Sequence, residues 1–259
     1  MILVPGFQYV DLGPDGGPYD ERAHPKVCWH TTEGTSLAGA EASYKPYPPH
    51  LGYDPRTRQG HQYVSLDRHS YALRGDENDD EYVIQVEVVG RAAETPGWPA
   101  EWYHNIGTDV VRPLRALLGV PDAHLRFYDP KEVPFRLASS SSPIRLTAAA
   151  FRTFAGHLGH QHVPYPDEHW DPGGFRLDLA IIASYEEDDM AFDEEARRWL
   201  YNEDRINSAL LTDQDQVTLI ADGEGGSVDL ELGFAARLRR VEASVQEIHA
   251  KLDRLLGGA

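Results

Sequence analysis

Between Gly159 and Gly173 the chain reads GHQHVPYPDEHWDPG. His160, His162, His169 and Asp171 crowd into this stretch, and Pro164, Pro166 and Pro172 break any regular structure through it. A helix or strand has little use for such a density of imidazole and carboxylate, whereas a metal site does. Zinc sites in hydrolases take three protein ligands and keep one position for water. The single cysteine, Cys28, excludes an internal disulfide and a cysteine-rich zinc site. Any metal must therefore be held by His, Asp or Glu.

Ligands of such a site come from separate segments that the fold has to bring together. The run Lys26-Val27-Cys28-Trp29-His30 reads as a short buried strand ending at a histidine. His160 and Asp171 flank the proline-rich loop, and the ten residues between them are enough to turn it back on itself. Asp171-Pro172-Gly173 reads as a tight turn presenting the carboxylate. His30, His160 and Asp171 together would make a His2Asp site. His162 stands two residues from His160 and shares its face in an extended segment, as a partner behind the ligands or as an alternative ligand.

The elements that must position these residues are legible in outline. Tyr82 to Gly90, YVIQVEVVG, is the strongest strand signal in the chain, rich in β-branched residues between a charged loop (Asp76 to Glu81) and a glycine. By alternation Glu87 shares a face with Gln85 and Val83. His61 to Leu66 alternates like a strand, and Tyr53-Asp54-Pro55-Arg56-Thr57 reads as a turn. TTEGTSLAGAEASY reads as a loop leading into a short helix. Asn105 to Gly119 reads as a helix with Val110, Leu114, Leu117 and Leu118 on one face. Thr147 caps another, with Phe151, Phe154 and Leu158 on one face, and Leu177 to Ala183 is a third. Mixed strands and helices over residues 1–184 predict one α/β domain, a single central mixed β-sheet flanked by helices.

The tail, 185–259, differs in composition. It holds 18 Asp+Glu and 8 Lys+Arg, against 24 and 16 in the first 184 residues, so the excess negative charge is concentrated there. Ala191 to Leu211 reads as helical. Phe234, Leu238, Val241, Val245, Ile248, Leu252 and Leu255 alternate spacings of four and three, an a/d seam that predicts a short coiled coil over 234–256 and, through it, a homo-oligomer. The net charge of −18 speaks against nonspecific binding to nucleic acid or anionic membranes. No apolar run approaches the roughly 18 residues of a membrane span. MILVPGFQYVDLGPDGGPYDE has neither a basic nor a long apolar region of the secretory type, which predicts synthesis in the cytoplasm.

VCWHTTEG, IQVEVVG and GHQHVPYPDEHWDPG, in this order, resemble the zinc N-acetylmuramoyl-L-alanine amidases of the type 2 amidase and peptidoglycan-recognition-protein family, with endolysins of actinobacteria and their phages the most similar. The resemblance runs from about Val27 to Ala183, and its last motif is the specific one. It implies a peptidoglycan-recognition-protein-like fold, with zinc held by His30, His160 and Asp171 and Glu87 as the catalytic carboxylate. His169 stands where many members carry an oxyanion-steadying lysine. The tyrosine that other members use falls on Pro49, so that role is not carried over. The implied substrate is bacterial peptidoglycan, cut between N-acetylmuramic acid and L-alanine, with the protein acting on the wall after release as an endolysin. The competing reading is a non-catalytic peptidoglycan-binding module on the same fold. Binding-only relatives usually lose the third ligand, and Asp171 is present. A zinc peptidase of the HExxH class is a third reading, and no HExxH occurs. The other histidines read as structural, with His50 and His61 placed where they could line a cleft.

Overall fold

The computed structural model describes residues 1–19, 24–73, 82–132, 139, 141–164 and 169–185. The expected acidic loop at 76–81, the expected helix at 191–211 and the expected coiled-coil seam at 234–256 lie outside them. Six strands form one mixed sheet in the order β1-β4-β3-β5-β2-β6: β1 (Gln8–Tyr9), β2 (Lys26–Thr31), β3 (Leu51–Asp54), β4 (Gln59–Gln62), β5 (Val83–Val88) and β6 (Gly156–Gly159). β3 and β4 pair antiparallel, and every other pairing is parallel. β2 and β5 are adjacent interior strands, as expected for runs with apolar residues on both sides.

The two faces of the sheet differ in chemistry, and the register shows how. Val27 pairs with Ile84 and Trp29 with Val86, and these side chains join the main core. Against them pack the helical stretch α2 (Ala100–Ile106), a π turn (Gly107–Val111) and α3 (Arg112–Leu118), together with α5 (Leu177–Ala183). Strand residues alternate faces, so the other side of the sheet carries Cys28 beside Gln85 and His30 beside Glu87. A second cluster covers part of that side: Cys28, Val83, Phe151, Leu158 and Val163. Helix α1 (Leu37–Tyr44), capped by Ser36, and α4 (Ala148–Thr153), capped by Thr147, complete the described helices of eight and six residues. Among the described residues no helix is long and apolar enough to cross a membrane.

Four expectations need correction. The helix capped by Thr147 stops at Thr153. Phe154 already has extended backbone, and Leu158 lies in β6. Gly156 has φ +123, and a Cβ there would meet the Ala123 carbonyl oxygen at 2.0 Å, so the chain turns from helix to strand where only glycine fits. GHLG carries no β-branched residue, which is why no strand was expected. Tyr53 and Asp54 belong to β3, and the turn begins only at Pro55. The β4 ladder covers Gln59–Gln62 rather than running to Leu66. The long helix begins at Ala100, and Leu117 is exposed.

Candidate metal centre

His30 sits one residue before the end of β2, on the face opposite the main core. His160 opens a single 3-10 turn that follows β6 directly, and β6 lies beside β2. Parallel pairing of these strands therefore brings two histidines 130 residues apart to the same end of the sheet. Their Nδ1 atoms are 3.0 Å apart. Asp171 completes the group: Oδ2 is 3.4 Å from His30 Nδ1 and Oδ1 is 3.3 Å from His160 Nδ1. All three residues are buried, and their ligand atoms lie within 4.8 Å of one another. This group could hold a metal ion.

Each part of the group is fixed from behind. The Gln85 side-chain oxygen is 2.7 Å from His30 Nε2. It accepts a hydrogen bond from the Nε2–H, a tautomer that turns the Nδ1 lone pair toward the other ligands. The Asp171 loop is tied to the His160 turn through Gln161. The Gln161 amide N–H donates to the Asp171 carbonyl at 3.0 Å, and its side-chain nitrogen donates to the Gly173 carbonyl at 2.9 Å. Thr95 donates to the Pro172 carbonyl at 2.8 Å. Gly173 has φ +67, and a Cβ would strike the Ala92 carbonyl oxygen at 2.2 Å, so the expected Asp-Pro-Gly turn needs its glycine. Arg145 donates to the carbonyls of Val163 (2.7 Å) and His169 (2.9 Å), clamping the two sides of the proline-rich loop.

The electrostatics are those of a cluster built for a cation. Burial raises the Asp171 carboxyl, but His160 and His30 outweigh it and hold the group well below the usual carboxylate range. Burial works against charge on His30, and Cys28, Asp171 and Glu87 outweigh it, so its pKa stands well above that of a free imidazole. Two imidazole nitrogens and a carboxylate oxygen form a donor set that suits zinc.

The other expected residues surround this group. Glu87 pairs in register with His30 across β5 and β2. Burial pushes its carboxyl up to about 7, with His30 opposing and Asp171 adding to the rise. Its Oε2 is buried with no hydrogen-bond partner. The His169 ring stacks on His160 with centroids 4.2 Å apart and planes 4° apart, and its Nδ1 lies 3.7 Å from Asp171 Oδ1. About half of the His169 side chain is exposed, which places it at the mouth of the group.

His162 is not part of it. The Gly159 N–H donates to its Nδ1 at 2.9 Å, and its Nε2 donates to the Arg126 carbonyl at 2.9 Å. With both nitrogens engaged by backbone, the ring has no lone pair to offer a metal. Burial lowers its pKa to about 4. His50 is fully buried, accepts from the Gln85 N–H at 3.0 Å and contacts the Arg68 carbonyl, so it does not line a cleft. His61 pairs with Glu41 at 2.5 Å. Gln85, which orients His30, was noted only as a neighbour of Glu87 in the strand. Its signal was there: a lone amide two residues before a carboxylate in an otherwise β-branched strand.

No family model matches the chain, and no curated protein matches it. Among solved structures, similarity is found to the Staphylococcus aureus hydrolase AmiA in complex with its ligand, at 13% identity over 71% of this chain and 83% of that one, with a TM-score of 0.42. A mutant of PlyL is 17% identical over 44% of this chain and 76% of that one, with a TM-score of 0.34. The PlyG catalytic domain is 23% identical over 44% and 73%, with a TM-score of 0.32. At these identities and scores the likeness assigns no residue a role, and the site stands on its own geometry.

Proposed function

We propose that the chain is a zinc-dependent N-acetylmuramoyl-L-alanine amidase acting on bacterial peptidoglycan. The observation that carries this reading is the buried convergence of His30, His160 and Asp171 on the sheet face that also carries Glu87. The order of the three sequence motifs supplies the reaction class. His30 and His160 would hold zinc through Nδ1 and Asp171 through its carboxylate. Bound zinc supplies Lewis acidity at the scissile carbonyl and lowers the pKa of water. Glu87 takes the proton of the attacking water and delivers it to the leaving amine of L-alanine. Glu87 shares a sheet face with the ligand group, which sets it beside a water held there. His169, at the mouth, donates an N–H to the oxyanion that develops on the carbonyl oxygen.

The enzyme reading is favoured over a binding-only module because His30, His160 and Asp171 converge on the face that also carries Glu87. A binding module has no need of a buried carboxylate whose Oε2 lacks a partner. Residues 1–184 form the catalytic domain in this proposal. The acidic tail, 185–259, assembles copies of the chain through the 234–256 seam, which would raise avidity for a polymeric wall. The protein then acts as an endolysin, made in the cytoplasm and meeting the wall after release.

The test is metal analysis of the purified protein combined with mass spectrometry of digested peptidoglycan. The expected outcome is one zinc per chain and new muramic acid carboxyl and L-alanine amine ends, lost on exhaustive chelation. Glycan or peptide cleavage elsewhere, or full activity with verified metal removal, would overturn it.

A further inference from the structure

Glu87 Oε2 is buried without a hydrogen-bond partner, and so is the hydroxyl of Tyr44, at the C-terminal end of α1. How α1 reaches Glu87 follows from the register. Gly52 on β3 pairs with Glu87 on one side and with His61 on the other. A Cβ at Gly52 would meet the Tyr63 hydroxyl at 2.5 Å and Leu37 Cδ2, on α1, at 2.9 Å. The missing side chain lets α1 and Tyr63 settle onto the sheet beside Glu87. Three residues before Tyr44 on α1, Glu41 accepts from the Tyr63 hydroxyl at 3.1 Å and from His61 Nδ1 at 2.5 Å. His61 Nε2 is in turn 2.9 Å from the Gln59 side chain. Glu41, Tyr63, His61 and Gln59 thus satisfy one another. The Tyr44 ring packs edge-on against Tyr63, with centroids 5.7 Å apart, and its hydroxyl is left over.

Two orphaned buried groups in one low-dielectric pocket, a phenol donor and a carboxylate acceptor, are costly apart and strong together. They stand close enough to act on each other, yet outside normal hydrogen-bond geometry. Burial and the Glu87 carboxylate keep the Tyr44 phenol protonated, so it is a donor throughout. We infer that Tyr44 is a positioning residue: its hydroxyl donates to Glu87 Oε2 in the working enzyme and aims the second carboxylate oxygen at the attacking water. The inference rests on the amidase reading for its consequence in catalysis. The tyrosine does not touch substrate. It acts from α1, an element outside the segments that would hold the metal, through a carboxylate that is not one of the proposed ligands.

The experiment uses the full zinc-loaded chain with a soluble muramoyl peptide. Tyr44→Phe keeps the ring and removes only the hydroxyl. The expected result is a fall in kcat of roughly 10-fold or more, from loss of one hydrogen bond to a charged group. KM, zinc content and thermal midpoint should stay unchanged. In the Glu87→Ala background, Tyr44→Phe should cause no further loss, because the two act as one unit. A zinc-bound crystal structure should show the Tyr44 hydroxyl within hydrogen-bond distance of Glu87. Full kcat in Tyr44→Phe, a loss that multiplies on top of Glu87→Ala, or a loss matched by a falling thermal midpoint would each overturn the inference. So would a crystal structure with the two oxygens beyond hydrogen-bond distance, whatever the activity. Failure of the wild-type chain to cut the muramoyl–alanine bond would instead overturn the amidase reading, and the crystal distance would still decide the role of Tyr44.

Discussion

The ligand wall and the carboxylate wall of this site are built on opposite principles, although they share two adjacent strands. On the ligand side each segment has a hydrogen-bonded support, although Gln85 Nε2 is itself buried without a partner. His30 leans on Gln85, the Asp171 loop is tied down by Gln161 and Thr95, and Arg145 clamps the loop that carries His169. On the carboxylate side Glu87 Oε2 and the Tyr44 hydroxyl are buried without partners. A buried polar atom left unpaired costs about 1–3 kcal/mol. In the proposed enzyme these two groups meet each other, and the remaining Glu87 oxygen is left for the attacking water. Ligands must be preorganised, because a metal tolerates little error in angle or distance. A proposed proton carrier needs one oxygen left open, because its partner changes during the reaction.

The largest test of this contrast compares residues that are near neighbours in sequence. Asp171→Ala should abolish zinc binding and activity. His162→Phe should keep both and lose about 1–3 kcal/mol of stability, since it removes only contacts to backbone. Metal analysis and calorimetry on the two variants decide it, and loss of zinc in His162→Phe would break the distinction.

Next in size are the groups assigned to the transition state. Glu87→Ala should lower kcat by roughly 10²–10⁴-fold and His169→Ala by about 10²-fold, both with zinc retained. Steady-state kinetics with metal content measured on the same samples would show it. Loss of metal in Glu87→Ala would put that carboxylate on the ligand wall instead.

Gln85→Leu probes the support behind His30. Removing the acceptor that sets the tautomer should weaken zinc affinity roughly 10–100-fold without preventing folding. Competition against a chelator of known affinity measures this, and unchanged affinity would mean that the strand alone orients the ring.

The smallest effect is thermodynamic and depends on pH. The folded-state pKa of Glu87, about 7, is raised above that of an unfolded glutamate. Its contribution to stability is therefore fully present below the unfolded value and is lost as pH rises through about 7. In metal-free protein, Glu87→Gln should match the wild type near pH 4. At pH 8 it should be more stable, by at most about 3 kcal/mol. Denaturant titrations at the two pH values check this, and equal stability at pH 8 would show that the carboxylate is solvated after all.

Much of the ligand wall was legible in the sequence because its signal is local. An apolar strand ends near His30, prolines interrupt GHQHVPYPDEHWDPG, and Asp-Pro-Gly forms its turn wherever it stands. Glu87 was legible as a carboxylate in a β-branched strand. β6 was not, since GHLG becomes a strand only by pairing with β2, and Gly156 ends the preceding helix because the Ala123 carbonyl lies against it. Tyr44 was not legible either. The seating of α1 on the sheet depends on Gly52 leaving room for Leu37 and Tyr63, a relation between segments that no spacing encodes.

What the residues determined alone is the inventory: two histidines and an aspartate at separations a loop can close, one carboxylate in a strand, and no thiol set to compete for the metal. Tertiary structure chose among near-equals. His160 and His162 are two residues apart and chemically identical. One became a candidate ligand and the other a structural histidine because the 3-10 turn after β6 aims the first at His30 and hands both nitrogens of the second to backbone. The type of a side chain is written in the chain. Which of its atoms remains free is settled only by everything that packs around it.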